Sequence, residues 1–216
     1  MKNIFDIKKY PNNHKGYGYL IDVLNEDIVT NIYLKGICKK VLKDFSDERF
    51  SFDADWTERF MKMFQNFHHV IGEWETPNIR LEPWQCFFIL CVEGFYWKHN
   101  KKRKYKTAHK EVSRGNGKSA ECSVTGLIYL ALYKTVKGNK VFSVATKKEQ
   151  ARIVLDSARQ MAKKNKSFID HTGVEVYAHH IYHEKSDSEF KALSSDSKSL
   201  DGLQPILGVV DELHAH

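Results

Sequence analysis

At 216 residues, with 42% hydrophobic side chains and aromatics spread along its length, the chain can bury a full core and is no disordered polypeptide. A formal charge of +7, from 34 basic and 27 acidic residues, favours a polyanionic partner without specifying one. No apolar run approaches the ~20 residues that span a bilayer, and Met1–Asp6 lacks the apolar stretch of a secretory signal, so a soluble, intracellular protein with no membrane contact is expected.

In chain order, helical stretches are expected around Tyr19–Val29 and Asn31–Asp44. Asp55 reads as the N-cap of a third helix, with Glu58 placed to complete a capping box. Phe60, Met63, Phe64, Phe67, Val70 and Ile71 then recur at helical spacing, which predicts one core-facing stripe. Thr76-Pro77-Asn78 breaks that pattern, and Leu81-Glu82-Pro83-Trp84-Gln85 opens a further, apolar helix.

Lys98–Lys106 is strongly basic and reads either as a solvated loop or as a nucleic-acid contact. Lys106–Ser113 is expected to be a strand feeding a glycine loop. The helix after that loop should bury Val124, Leu127, Ile128, Ala131 and Leu132. A strand over Lys140–Ala145 and a helix over Lys147–Lys164 follow, the latter with Ala151, Val154, Leu155, Ala158 and Ala162 inward. Weaker strands are expected over Val174–Tyr182 and Glu189–Leu193, and a buried apolar strand over Pro205–Asp211. Strands alternating with helices predict an α/β fold: a mainly parallel sheet with helices on both faces and ligands at the carboxyl ends of the strands. The expected division is a helical segment, 1–80, and a nucleotide-binding core, 81–216.

The chemistry concentrates in two motifs. Ser113-Arg114-Gly115-Asn116-Gly117-Lys118-Ser119 has the ingredients of a phosphate loop. Glycines let backbone N–H groups approach phosphate oxygens, Lys118 neutralises the β- and γ-phosphates, and the Ser119 hydroxyl binds Mg²⁺. Val112 stands where the strict pattern has its first glycine. Downstream, Val209-Val210 runs into Asp211-Glu212: Asp211 is positioned to hold Mg²⁺ through water, and Glu212 to orient and deprotonate the attacking water. Arg114 is assigned to the charge that develops on the γ-phosphate, and Trp84 and Gln85 to ATP, the glutamine amide matching the adenine edge. His214 and His216 lack a third nearby ligand and read as polar or surface residues rather than a metal site. Cys86 and Cys91 read as core residues, and the Asn165-Lys166-Ser167 sequon as chance.

Taken together, these residues resemble the N-terminal ATPase domain of the large terminase subunit of tailed bacteriophages, from about Phe52 onward. Leu81–Gln85 looks like the family's adenine motif, and Ser113–Ser119 like its deviant Walker A, with an arginine near the loop start. Ala145–Ala151 looks like the following strand–helix junction, and Ser194–His216 like the approach to and body of Walker B. The resemblance implies a P-loop NTPase core of the RecA/ASCE type and an ATP- and Mg²⁺-dependent motor that packages double-stranded DNA through a portal protein. It also implies a small terminase subunit as partner, a homo-oligomeric ring in the full-length protein, and a place in the host cell cytoplasm at the procapsid.

The chain stops four residues after Glu212, before the family's coupling motif and metal-dependent nuclease domain. Cutting is therefore not expected of this chain, and its ATPase core is expected to be incomplete at the C-terminus. Asp211-Glu212-Leu213-His214 also fits the D-E-x-H box of superfamily-two helicases, with Gln85 as a Q motif. A basic fragment that binds ATP or DNA without turnover is the third reading.

Overall fold

The structure, a computed structural model, describes residues 2–72, 76–133, 137–145, 147–194 and 205–211. It divides into two compact units. The boundary does not run between residues 80 and 81. Among the described residues, 80–110 group with 2–65, and those within 66–79 group with those within 111–211.

The first unit contains helices α1 (Pro11–Leu24), α2 (Ile32–Ser46), α3 (Ala54–Gln65) and α4 (Pro83–Gly94). Strands β1 (Phe50–Phe52) and β2 (Phe95–Trp97) pair antiparallel. The expected start of α1 at Tyr19 is corrected to Pro11, where proline's fixed φ suits a first helical position and its missing N–H costs nothing. The next two amides, Asn12 N and Asn13 N, both donate to Glu58 Oε2 at 3.0 Å. Glu58 is thus the anionic cap of another helix, not half of a capping box on its own. The cap of α3 is Asp53, whose Oδ1 accepts from Trp56 N at 2.9 Å.

α2 agrees with its signals, since Asn31 accepts from Leu34 N at 2.8 Å. The predicted aromatic stripe is shorter than its spacing suggests. α3 ends at Gln65, Met61 rather than Met63 is fully buried, and Ile71 lies 68% exposed beyond the helix. Between α1, α2 and the β1–β2 pair, Phe45 packs on Phe52 and Phe95, each at 4.9 Å between ring centroids.

The basic run is only partly a solvated loop. Lys104 is held on Asp44 with both side chains 9% exposed, its ammonium 3.7 Å from the Phe50 ring centroid. Burial pushes the Asp44 carboxyl up, but hydrogen bonds from Lys104, Tyr105 and Lys40 outweigh it and hold the group below the ordinary carboxylate range. Arg103 turns back onto Glu93 at 3.4 Å, whereas Lys98, Lys101, Lys102 and Lys106 are exposed. Cys86 is buried, and burial pushes its thiol up to about 12, which suits a core residue.

The second unit is a five-stranded sheet, ordered β4-β5-β6-β3-β7, with α5 (Lys118–Ala131), α6 (Lys148–Lys164) and α7 (Lys166–Thr172). Its strands are β3 (Lys140–Ala145), β4 (Val174–Val176), β5 (His180–His183), β6 (Ser188–Ser194) and β7 (Pro205–Val210). The sheet is mixed rather than mainly parallel. β3 pairs parallel with β6 and β7, while β4, β5 and β6 form an antiparallel meander. The sequence read as one strand over Val174–Tyr182 divides there at a short connection, and a 3-10 turn over Glu184–Ser186 returns the chain into β6.

The described helices of this unit gather on one face, which corrects the expectation of both faces. Ser123 Oγ of α5 donates to Val154 O of α6, Ser143 Oγ of β3 donates to Ala151 O of α6, and Gly126 of α5 abuts the Phe190 ring of β6. His183 of β5 meets Thr172 O of α7, and it shares its face with Ile181, whose register partner is Phe190. The reverse face of β3 and β6 carries Lys140, Glu189 and Lys191, linked as ion pairs, at the start of those strands. All five alanine and valine or leucine positions expected to face inward on α6 are buried.

Candidate functional site

Lys106–Ser113 is not a strand. The chain there is irregular and reaches the glycine loop without joining a described sheet. Its alternating charges and small residues supply no apolar face for the pleat to bury. The loop that follows is nonetheless built as its residues require. Gly115 (φ 86°) and Gly117 (φ 71°) are both left-handed, a conformation that strains any residue bearing a Cβ. Gly117 caps α5, and its carbonyl accepts the first helical bond, from Glu121 N at 2.9 Å. The free N–H groups of the first turn and the helix dipole therefore face the loop.

Three side chains close this loop. Asn116 Nδ2 donates to Ser113 Oγ at 2.7 Å and to Ser113 O at 3.1 Å. Lys118 Nζ donates to Val112 O at 2.9 Å and to Ser113 O at 3.2 Å, so the ammonium is folded over the loop. Ser119 Oγ donates to Asp211 Oδ2 at 2.8 Å. Arg114 is exposed at the loop's outer edge.

Asp211 reaches Ser119 because β7 lies beside β3 and ends there, while α5 packs against both strands. A hydroxyl donating to a carboxylate at the head of a helix is a donor set that suits a divalent cation once the hydroxyl proton turns away. A lysine whose ammonium donates to two loop carbonyls is likewise available to a stronger anionic partner. These residues fit a magnesium-bound nucleotide phosphate.

The structure thus brings together Ser113, Asn116, Lys118, Ser119 and Asp211. Glu212, His214, His216 and the segment before β7 lie outside the described residues. Trp84 and Gln85 belong to the first unit. There Gln85 is buried and its Oε1 accepts from Glu82 N at 2.9 Å, completing the capping box of α4. Lys110 Nζ stands 5.1 Å from the centroid of the half-buried Trp84 ring and 4.3 Å from that of Phe88.

Sequence reasoning missed Ser123. Its hydroxyl donates to Ser119 O at 2.7 Å and to Val154 O, fixing the first turn of α5 against α6. A second serine one turn after Ser119 was the available signal. Among the described residues, no group of three or more His, Cys, Asp or Glu side chains is placed to hold a metal, and no helix is long and apolar enough to cross a membrane.

The curated large terminase subunit of Enterobacteria phage HK97 is 29% identical over 156 residues, which is 72% of this chain and 30% of the relative. The crystal structure of the HK97 large terminase superposes with a TM-score of 0.58 at 29% identity, covering 72% of this chain and 31% of that one. The chain therefore spans less than a third of the length of these relatives. The family profile described as terminase large subunit, ATPase domain, matches residues 83–216. With most of its length matched, and with the loop, helix and acid-ended strand in place, this chain belongs to the terminase large subunit ATPase family.

Proposed function

We propose that this chain is the ATP-hydrolysing part of a phage motor that drives double-stranded DNA into a procapsid, built on a P-loop core of the RecA/ASCE type. The observation that carries this reading is the Ser119–Asp211 contact at the head of a helix capped by a left-handed glycine. Backbone N–H groups at the start of α5 and the Lys118 ammonium hold the β- and γ-phosphates. Ser119 and Asp211 supply the hydroxyl and the carboxylate for Mg²⁺, which neutralises charge on the phosphates when bound. Glu212 orients a water for in-line attack on the γ-phosphorus and takes its proton as the bond to the β-phosphate oxygen breaks, releasing ADP and phosphate. Arg114 meets the charge that develops on the transferring group.

Family membership favours this motor over a helicase that shares the Asp-Glu-x-His spacing. The portal, a small terminase subunit and ring neighbours are the partners the reading requires, with the host cytoplasm as its setting. The test is steady-state phosphate release with ATP and Mg²⁺, with and without double-stranded DNA, alongside a Glu212→Gln control. Release above the control supports the motor. Tight Mg²⁺–ATP binding with release no faster than the control leaves a binding fragment, and DNA strand separation without packaging sinks the reading.

A further inference from the structure

Ser123 is completely buried, and its Oγ lies 2.7 Å from Ser119 O and 2.8 Å from Val154 O. Bonding to the carbonyl four residues back is ordinary for a serine inside a helix. The contact with Val154 O is of another kind, since it crosses from α5 to α6 over 31 residues of chain. A hydroxyl carries one proton, so Ser123 shares it between the two carbonyls. Neither carbonyl depends on that proton, because a carbonyl inside a helix already accepts the N–H four residues on. What the hydroxyl adds is a tie between the first turn of α5 and α6.

A second buried serine grips the same stretch of α6 from the sheet. Ser143 of β3 is 1% exposed, and its Oγ donates to Ala151 O, three residues before Val154. Ser143 is also the register partner of Val209 on β7, two residues before Asp211. Asp211 Oδ2 in turn accepts from Ser119 Oγ. The contacts therefore close a ring, running from Ser119 through Ser123, α6, Ser143 and β7 to Asp211 and back to Ser119. The two links to α6 lie in the interior, where no water replaces a bond that is lost.

We propose that Ser123 and Ser143 are positioning residues that act through α6. Together they set the separation of the Ser119 hydroxyl and the Asp211 carboxylate, and so the affinity of that pair for a divalent cation. The inference rests on reading the pair as the Mg²⁺-binding half of a nucleotide site. A helix tied to both ligands responds when their separation changes, so cation binding is felt in α6 as well.

Titration calorimetry of the 216-residue chain with a non-hydrolysable ATP analogue, in Mg²⁺ and in chelator, tests this. Circular dichroism confirms that each variant folds. Ser123→Ala and Ser143→Ala should each weaken binding in Mg²⁺ by roughly tenfold, and binding in chelator by no more than about twofold. Breaking the ring once releases the pair, so the double variant should lose little more than either single one. A second measurement needs no variant. The amides of Leu155 and Ala158 are the helical donors to Ala151 O and Val154 O. Their hydrogen exchange should slow at least about threefold with the analogue and Mg²⁺, and not with the analogue in chelator. Wild-type affinity indifferent to Mg²⁺ overturns the reading of the Ser119–Asp211 pair, and the proposal with it. A Mg²⁺-dependent wild type whose variants keep the full dependence overturns the proposal alone. So do losses that are equal in chelator, losses that simply add, or α6 amides that do not respond to the cation.

Discussion

Ser119 Oγ donates to Asp211 Oδ2 at 2.8 Å, joining the first turn of α5 to the end of β7 across 92 residues of chain. If this pair is the metal-binding half of a nucleotide site, Ser119→Ala should weaken Mg²⁺–ATP binding by about tenfold or more. Binding of ATP in the presence of a chelator should change by no more than about twofold, because Lys118 and the backbone amides remain. Titration calorimetry in both conditions reads the difference. An equal loss with and without Mg²⁺ would make the contact a structural brace only.

Gly117 holds φ at 71° as the cap of α5. A Cβ there meets no neighbour, so the cost of Gly117→Ala is conformational, about 1–2 kcal/mol. Urea unfolding should show a lower midpoint with an unchanged slope. Nucleotide affinity should fall as well, since relaxing φ turns the first amides of α5 away from the loop.

Gly126 acts through space instead. A methyl group on it would come within 2.8 Å of Phe190 Cζ, so α5 cannot rest on β6 with any larger residue. Gly126→Ala should destabilise by about 1–3 kcal/mol, as overpacked cores do. Combining it with Phe190→Leu should recover part of that loss. A double-mutant cycle in which the two effects simply add would show that they do not share this contact.

His183 is 4% exposed, with Nδ1 2.6 Å from Ser186 Oγ and Nε2 3.1 Å from Thr172 O. Burial lowers its pKa below the ordinary histidine value, the Thr172 carbonyl opposing and Lys185 adding to the effect. A depressed folded pKa means that the stabilisation is complete above the unfolded value of about 6.5 and is lost as pH falls through the folded one. Thermal melts between pH 7.5 and 5 should show a decline that His183→Asn flattens. A variant with the same slope as the wild type would place the pH dependence elsewhere.

The glycine loop and the helix after it were legible because their requirements are local. Left-handed glycines, a lysine and a hydroxyl at fixed offsets before an apolar helix work the same way wherever that helix packs. β3 and α6 were equally clear, β3 as a short apolar run between polar ends and α6 through an unbroken periodicity of 3.6. Lys106–Ser113 failed because strand identity depends on a neighbour with matching hydrogen bonds, and leading into a glycine loop does not supply one. β1 and β2 were missed for the related reason that three residues carry too little pattern, although Phe50–Phe52 and Phe95–Trp97 pair cleanly once the chain brings them together.

The sequence by itself determined which residues form the candidate loop and the acid-ended strand, because Gly117, Lys118, Ser119 and the acid after Val210 are read from residue type and short spacing. It also determined the family, through several motifs in one order. Tertiary structure alone decided that Glu58 caps α1, that Lys104 is buried on Asp44, that the sheet is mixed, and that Asp211 meets Ser119. Each of these is a contact between residues far apart in the chain. Its free energy depends on burial and geometry that no local window contains, so only the folded arrangement reveals it.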